Sequence, residues 1–184
     1  ETPLSEVLLS KTEAGMISSL GLLTMKPAVV VFNTAEDLSP GAAADLCEKS
    51  PLAAIAVSAG IEKELSLLDE AGRREFMDAM GMKESAAEVF IRSCYEAMGL
   101  ISFLTVGEDE VRAWPVRKGT PALEAAGRIH SDIKRGFIRA ETMSYDELRS
   151  HGDEKSLRAA GRVRLEGREY EVKDGDIISY RFNV

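Results

Sequence analysis

The sequence predicts an α/β fold in two parts: a parallel strand–helix–strand region and, after Gly99, a smaller module with a mixed sheet. Residues 28–32 and 52–57 are short apolar runs of the kind that forms buried parallel strands. A helical pattern follows each run, which is the order of a parallel α/β sheet. From residue 100 onward, short strands alternate with short helices and tight turns.

The first part opens with apolar side chains at helical spacing over residues 4–23, which predicts one or two short helices. Lys26 and Pro27 end them, because proline cannot continue the hydrogen-bond ladder of a helix. Further helices are predicted around the two strands, over residues 39–47, 61–68, 70–80 and 84–98. Two parallel strands cannot form a stable doubly wound sheet, so we expect its other strands upstream of residue 1 or in a partner.

The second part is predicted to be a mixed sheet with helices on one face. The predicted strands are residues 100–106, 111–116, 137–142, 162–166, 169–172 and 177–182, and the predicted helices are 121–129, 145–149 and 154–160. A hairpin turn is predicted at residues 107–109. This pattern indicates a β-grasp-like α+β module over residues 100–184.

Composition and charge are those of a globular chain. Apolar residues make up 45% and charged residues 29%, and no apolar run approaches the ~20 residues that cross a bilayer, so no membrane partner is expected. Cys47 and Cys94 lack C-x-x-C spacing, which predicts reduced thiols, no metal centre and a cytoplasmic location. Residues 1–108 hold 8 Lys/Arg and 17 Asp/Glu, a balance of −9, whereas residues 109–184 hold 15 and 14, a balance of +1. This asymmetry suggests two modules with different partners.

Polar residues follow both predicted strands of the first part. Residues 33–36 read N-T-A-E after the first strand, and residues 58–60 read S-A-G after the second. The carboxyl ends of parallel strands line the crevice where nucleotides bind in open α/β folds. There the amide of Asn33 can bond a purine at N7 and at the group on C6, while the Glu36 carboxylate meets the ring-nitrogen edge. An Asx-type turn and a helix N-cap would explain the same residues without any ligand.

Several longer stretches resemble the YchF (Obg-like) family of P-loop ATPases. Residues 111–120 read V-R-A-W-P-V-R-K-G-T, residues 125–132 read A-A-G-R-I-H-S-D, and residues 135–141 read R-G-F-I-R-A-E. The end of the chain, Y-E-V-K-D-G-D-I-I at 170–178 and R-F-N-V at 181–184, is similar to the end of that family. The N-T-A-E and S-A-G loops fit the same family.

This resemblance implies an ATP- or GTP-binding protein, with Mg²⁺, that hydrolyses the nucleotide slowly and associates with ribosomes. It implies that residues 1–25 end a helical insertion, that residues 26–99 are the C-terminal part of a P-loop GTPase-type domain, and that residues 100–184 are a TGS domain of β-grasp fold. The base-binding residues it implies are Asn33, Thr34, Glu36, Ser58 and Ala59. In P-loop GTPases a Ser-Ala at this place lends a backbone N–H to the base carbonyl.

The second part also carries basic residues that could contact RNA or the ribosome, with no expected DNA specificity. They are Arg112, Arg117, Lys118, Lys134, Arg135 and Arg139, and aromatic residues interleave them. A solvated sheet face would explain them equally well.

No catalytic residue is predicted in this chain. His130, Ser131 and Asp132 have the letters of a catalytic triad, but neighbours in an extended segment would point to alternate faces. The phosphate-binding motif G-x-x-x-x-G-K-[ST] is absent from these 184 residues, so we expect the chain alone to bind nucleotide weakly and to hydrolyse none. We expect the C-terminal segment of a larger ATPase that lacks its N-terminal G-domain half. The alternative is a stand-alone, non-enzymatic module that binds RNA or protein.

Overall fold

The structure is a computed structural model that describes residues 4, 7–36, 38–107 and 109–183. The chain divides into two compact units, residues 1–98 (unit 1) and residues 99–184 (unit 2). Glu108 of the predicted hairpin turn, and Val184 of the closing motif, lie outside the described residues.

Unit 1 is built around two short parallel strands, β1 (Val30–Asn33) and β2 (Ala54–Val57). They pair in register from Val30 opposite Ala54 to Asn33 opposite Val57. The helices are α1 (Lys11–Ser18), α2 (Pro40–Glu48), α3 (Ala59–Leu67), α4 (Glu70–Ala79) and α5 (Ala86–Ala97).

Local sequence explains where these helices begin. Ser39, Ser58, Asp69 and Ser85 each accept a hydrogen bond from a backbone N–H of the first turn of α2, α3, α4 and α5, respectively. Such caps satisfy donors that have no partner within the helix itself. The helix starts are therefore decided locally.

Unit 2 is a five-stranded mixed sheet with helices packed against it. The strands are β3 (Leu100–Val106), β4 (Val111–Arg117), β5 (Phe137–Ser144), β6 (Arg164–Glu166) and β7 (Asp176–Phe182), in the order β4-β3-β7-β5-β6. β3 and β7 are parallel at the centre, and every other pair is antiparallel. The helices are α6 (Ala122–Ile129), α7 (Ser131–Arg135), α8 (Tyr145–His151) and α9 (Glu154–Ala159).

Two clusters of buried side chains hold unit 2 together. The larger one includes Phe103, Val116, Ala125, Phe137 and Ile178, with residues of α6 packed against the sheet. The smaller one joins Met143 and Ile177 of the sheet to Leu157 of α9. Because β3 and β7 bring residues from the two ends of unit 2 side by side, the core links its whole length.

The predicted fold class, the C-terminal part of a GTPase-type α/β domain followed by a β-grasp α+β domain, is confirmed, with one correction to the layers and two local corrections. The helices of unit 2 are not on one face of the sheet as predicted, because α6 packs on the face of Ile178 and α9 packs on the opposite face, against Ile177. The strand predicted over residues 169–172 is wrong, because this segment forms only an isolated bridge at Glu171. Its backbone groups pair with the segment before α6 instead: Tyr170 O accepts from Ala122 N–H (2.7 Å), and Val172 N–H donates to Thr120 O (3.0 Å).

The second local correction concerns residues 130–132, which are not an extended segment as predicted. Ser131 and Asp132 begin α7, and His130 caps it, since its Nδ1 accepts from the backbone N–H of Asp132 at 3.2 Å. The histidine ring therefore has a structural role at a helix start.

Candidate nucleotide-base cleft and basic surface

The register of β1 and β2 brings the two polar loops to one edge of unit 1. Asn33 is opposite Val57, so each strand ends at the same level. The chain after Asn33 remains tied to β2, because Thr34 donates to Val57 O from both its backbone N–H (2.9 Å) and its hydroxyl (3.3 Å). The loop 34–36 is thus held beside Ser58 at the start of α3.

An open cleft of about 500 Å³ lies between these loops. Its lining consists of Asn33, Thr34, Ala35, Glu36, Ser58 and Gly60. Four of the five residues predicted to bind the base therefore meet in one place. The fifth, Ala59, is next in the chain to two of the lining residues but is not itself part of the lining.

Ala59 contributes to the cleft through its backbone. Its N–H donates to the Asn33 side-chain oxygen Oδ1 at 3.1 Å. This bond fixes the amide orientation, because only the oxygen can accept, and it leaves the NH₂ group of Asn33 as the end that can donate to a ligand. The family resemblance assigns the Ala59 N–H to a base carbonyl, but in this structure that N–H is already bonded to Asn33.

Ser58 has a structural task beside its place in the lining. Its hydroxyl oxygen accepts from the backbone N–H of Ile61 at 3.3 Å and so caps α3. The helix-cap interpretation and the cleft interpretation of Ser58 therefore hold together, since the cap places the start of α3 at the rim of the cleft.

Gly60 is a lining residue that the sequence reasoning missed. A Cβ atom at Gly60 would collide with the carboxylate of Glu36, so the missing side chain is what allows Glu36 to lie against the first turn of α3. The S-A-G sequence carried this signal, because small residues permit close approach of the backbone.

The six predicted basic residues do not form one uniform patch. Lys134 pairs with Glu124 (2.7 Å) and Arg135 with Asp132 (2.9 Å), so two of the positive charges are offset locally. Arg117, at the end of β4, and Lys118, in the turn after it, are exposed. Arg139 is exposed on β5.

Arg112 lies on the other face of β4 from Arg117, because the two are an odd number of positions apart in a strand. Its guanidinium stacks over the Trp114 ring, 4.2 Å from the ring centroid. Trp114 packs against the larger core cluster and donates from Nε1 to the Thr105 hydroxyl at 2.9 Å. Trp114 is therefore part of the packing of unit 2, and it positions Arg112.

Glu141 is the centre of a charged cluster that the sequence pattern did not reveal. It is 8% exposed, and its carboxylate accepts from Arg181 (3.0 and 3.3 Å) and from Arg158 (2.8 Å). Hydrogen bonds from Arg181 and then from Arg158 lower the pKa of Glu141 to about 2. No spacing in the sequence signals this cluster, because its members come from β5, β7 and α9.

The described part of the chain contains neither a membrane-spanning helix nor a metal cluster. Across residues 4, 7–36, 38–107 and 109–183, no helix is long and apolar enough to cross a membrane. Within the same residues, no group of three or more His, Cys, Asp or Glu side chains could hold a metal ion.

The fold has counterparts among solved structures. The YchF GTPase of Schizosaccharomyces pombe matches with a TM-score of 0.81 and 34% identity, over 98% of this chain and 50% of that one. A GTP-binding protein from Pyrococcus horikoshii OT3 matches with a TM-score of 0.61 over 95% of this chain and 51% of that one, and at 21% identity this likeness concerns the fold alone. The architecture is that of the C-terminal region of a YchF-type GTPase.

Related sequences agree with this architecture. Residues 100–183 match the family model YchF-GTPase_C, described as a protein of unknown function (DUF933). The ribosome-binding ATPase YchF of Bacillus subtilis (strain 168) is 41% identical, over 100% of this chain and 52% of the relative. The protein of the same name from Escherichia coli O157:H7 is 36% identical, over 96% of this chain and 50% of the relative. The chain therefore belongs to the YchF family: it corresponds to the C-terminal portion of its members and spans about half the length of the relatives it matches.

Proposed function

We propose that this chain supplies the base-reading cleft and the C-terminal TGS domain of a cytoplasmic, ribosome-associated ATPase. The observation that carries the proposal is the convergence of Asn33, Thr34, Glu36 and Ser58 on one open cleft at the carboxyl ends of two parallel strands. In this proposal residues 1–25 end a helical insertion, residues 26–99 belong to the nucleotide-binding domain, and residues 100–184 are the TGS domain.

The hydrogen bonds around the cleft favour adenine over guanine. Guanine presents a carbonyl at C6, which needs a donor, and the backbone N–H of Ala59 is already bonded to Asn33. Adenine presents an amino group there, which needs an acceptor, and the Glu36 carboxylate in the lining can accept from it. A carboxylate can also accept from the ring-nitrogen edge of guanine, and we propose that the length of the Glu36 side chain is what disfavours guanine. The free NH₂ of Asn33 can donate to N7 of either base, so the choice between the bases falls to Glu36.

The residues of this chain fit the base of the nucleotide only. Phosphates and Mg²⁺ are held by a G-x-x-x-x-G-K-[ST] loop in P-loop proteins, and these 184 residues do not contain that motif. Hydrolysis depends on holding the phosphates and Mg²⁺ in position. Nucleotide hydrolysis is therefore proposed for a longer protein that includes this chain.

The base-reading role can be tested with Glu36→Asp in a protein that joins this chain to a phosphate-binding half. The shorter carboxylate suits the guanine edge, so the ratio of the ATP and GTP dissociation constants is expected to move toward GTP. A change of ~1–3 kcal/mol, by analogy with base readout in nucleic acids, corresponds to roughly 5- to 150-fold.

Glu64→Asp is the matched control, because Glu64 is exposed on α3 and outside the cleft lining. Competition of unlabelled ATP and GTP against a fluorescent nucleotide gives both constants. If Glu36→Asp and Glu64→Asp give the same ratio as the unaltered protein, Glu36 does not read the base.

We also propose that unit 2 contacts the RNA of the ribosome. The two bacterial relatives are named ribosome-binding ATPases, and residues 109–184 carry a balance of +1 where the rest of the chain carries −9. Contacts from Lys and Arg to phosphates release counterions, so this binding is expected to weaken steeply with added salt. Binding that is insensitive to salt would contradict a phosphate contact.

A further inference from the structure

Two arginines face each other on the sheet of unit 2. Arg139 on β5 lies directly opposite Arg181 on β7, and both are exposed. Like charges directly opposite in an antiparallel pair destabilise a sheet. No ion pair of Arg139 is found among the residues that the structure describes, so this repulsion is not relieved at Arg139 by a carboxylate.

A shift in strand register aims Arg139 away from the core. The register of β5 on β7 changes between Phe137 and Arg139, as it does at a β-bulge. Phe137 is buried, and simple alternation would place Arg139 on the same buried face two residues later. The irregularity turns Arg139 to the opposite face instead, where Glu141 and Met143 also lie and where Arg139 itself is exposed. Bulges of this kind often re-aim a side chain near a functional site.

Gly136 and Asn183 fix the strand ends beside this irregularity. The backbone N–H of Asn183 donates to Gly136 O at 2.9 Å, and a Cβ atom at Gly136 would collide with the Asn183 carbonyl. The two strands are therefore closely paired where Arg139 and Arg181 face each other.

The opposing arginine is held in place by a buried carboxylate. Glu141 lies two residues beyond Arg139 and accepts two hydrogen bonds from Arg181. Its other bond comes from Arg158, which also pairs with Glu154. Arg181 is thus oriented and still 56% exposed. A guanidinium held in this way can present its remaining N–H groups to an anion in a fixed fork geometry.

We propose that Arg139 and Arg181 together bind the phosphate backbone of RNA, with Glu141 as the positioning residue for Arg181. This inference rests on the RNA contact proposed above for unit 2. Arginine forks match phosphate groups in bidentate geometry, and a phosphate between the two guanidiniums would remove their repulsion. Tyr180 and Phe182, the aromatic neighbours of Arg181, lie on the opposite face of β7, because successive side chains of a strand alternate between its two faces. Tyr180 packs into the core against Phe103 and Phe137, and Phe182 is 43% exposed on that opposite face. The contact proposed for the face of Arg181 is therefore to phosphates and not to particular bases.

The test uses the whole 184-residue chain and a fluorescein-labelled polyuridine oligonucleotide, with anisotropy measured at several KCl concentrations. Arg139→Gln with Arg181→Gln is compared with Arg128→Gln and Arg149→Gln, two other exposed arginines of unit 2. The Arg139 and Arg181 double variant is expected to lower the affinity for RNA at least tenfold. The salt slope, which is the slope of the logarithm of the binding constant against the logarithm of the KCl concentration, should become shallower by about 0.7 for each phosphate that the variant no longer binds. The Arg128 and Arg149 double variant removes the same charge and is expected to change the affinity and the salt slope much less.

The variant Glu141→Gln distinguishes whether Glu141 affects RNA binding by orienting Arg181 or only by its negative charge. Removing a negative charge beside RNA would tighten binding if Glu141 acted only through its charge, whereas loss of the orientation of Arg181 weakens it. If that variant does not fold by circular dichroism, Arg181→Lys keeps the charge and loses the fork, and it is expected to bind less tightly at an unchanged slope.

The outcomes are distinct. If the unaltered chain does not bind the RNA at low salt, the RNA contact of unit 2 is wrong and this inference is wrong with it. If the unaltered chain binds and the two double variants are equal in affinity and slope, the RNA contact stands and the assignment to Arg139 and Arg181 is overturned.

Discussion

The two units of this chain bury very different amounts of their apolar side chains. Among the described residues, Leu65 is the one buried apolar side chain of unit 1, whereas unit 2 has twelve. In unit 1, Val31 of the sheet is 43% exposed, and Phe90 and Ile91 of α5 are 44% and 57% exposed. The candidate nucleotide cleft is nevertheless in unit 1.

The difference shows that site geometry and stability come from different parts of the molecule. Unit 2 closes its own core because its first and last strands pair at the centre of one sheet. Unit 1 fixes the cleft with few contacts: one strand pair, one helix cap, and the hydrogen bonds that tie Asn33 and Thr34 to the second strand and to the start of α3. Parallel sheets are normally covered on both faces, so two strands with exposed apolar neighbours need further packing partners.

The largest expected effect is a difference in cooperative folding between the two units when each is expressed alone. Expressed alone, residues 99–184 should fold and melt in one cooperative transition, because the core of unit 2 is complete. Residues 1–98 alone should show no cooperative transition. Circular dichroism at rising temperature measures both fragments, and cooperative melting of 1–98 without melting of 99–184 would reverse the comparison.

A substitution in each unit sharpens the same contrast. Phe103→Ala removes a fully buried ring of unit 2 and is expected to lower the free energy of unfolding by about 3–5 kcal/mol. Phe90→Ala, at an exposed position of unit 1, is expected to change it by less than about 0.5 kcal/mol. Trp114 is the single tryptophan and packs in unit 2, so its fluorescence in urea reports that unit. Equal effects would mean that the units unfold as one.

Glu141 is expected to make a pH-dependent contribution to the free energy of unfolding. Its pKa falls from 4.5 to about 2 on folding, so its contribution is present above about pH 4.5 and is lost as the pH falls toward 2. Glu141→Gln should cost roughly 1–3 kcal/mol at neutral pH, less than a fully buried pair, because both arginines are half exposed. Urea unfolding at neutral pH and near pH 3 should show the cost shrinking at the lower pH.

Glu154→Gln is the control for that measurement, because it removes a partner of Arg158 in an exposed pair. It should cost less than about 1 kcal/mol. If Glu141→Gln lowers the free energy of unfolding by the same amount at both pH values, the arginines do not stabilise the charged carboxylate.

The smallest effect is expected on RNA binding, from the two basic residues at the end of β4. Arg117→Ala with Lys118→Ala should lower RNA affinity and make the salt slope shallower by about 0.7–0.9 for each phosphate that these side chains bind. Lys134→Ala with Arg135→Ala should do less, because Glu124 and Asp132 already offset those charges. Polyuridine binding at several KCl concentrations measures both, and equal slopes for both variants and the unaltered chain would leave Arg117 and Lys118 as a solvated edge.

Much of the fold could be predicted from local sequence. The apolar runs at 28–32 and 52–57 specified β1 and β2 to within two residues, since burial of a parallel strand demands continuous apolar side chains. The polar residues that end these runs specified the lining of the cleft, because strand ends of a parallel pair share one edge. A serine stands directly before each of α2, α3 and α5, and the cap that it forms depends on neighbours only three residues away.

What the sequence could not determine depends on partners distant along the chain. Residues 169–172 have the pattern of a strand, but their backbone bonds to Thr120 and Ala122 instead. The irregularity at Arg139 and the cluster around Glu141 join residues up to 45 positions apart. The bond from Ala59 to Asn33 likewise links the start of α3 to the end of β1. Hydrogen bonds and ion pairs of this kind follow from three-dimensional proximity, so only the tertiary structure decides them.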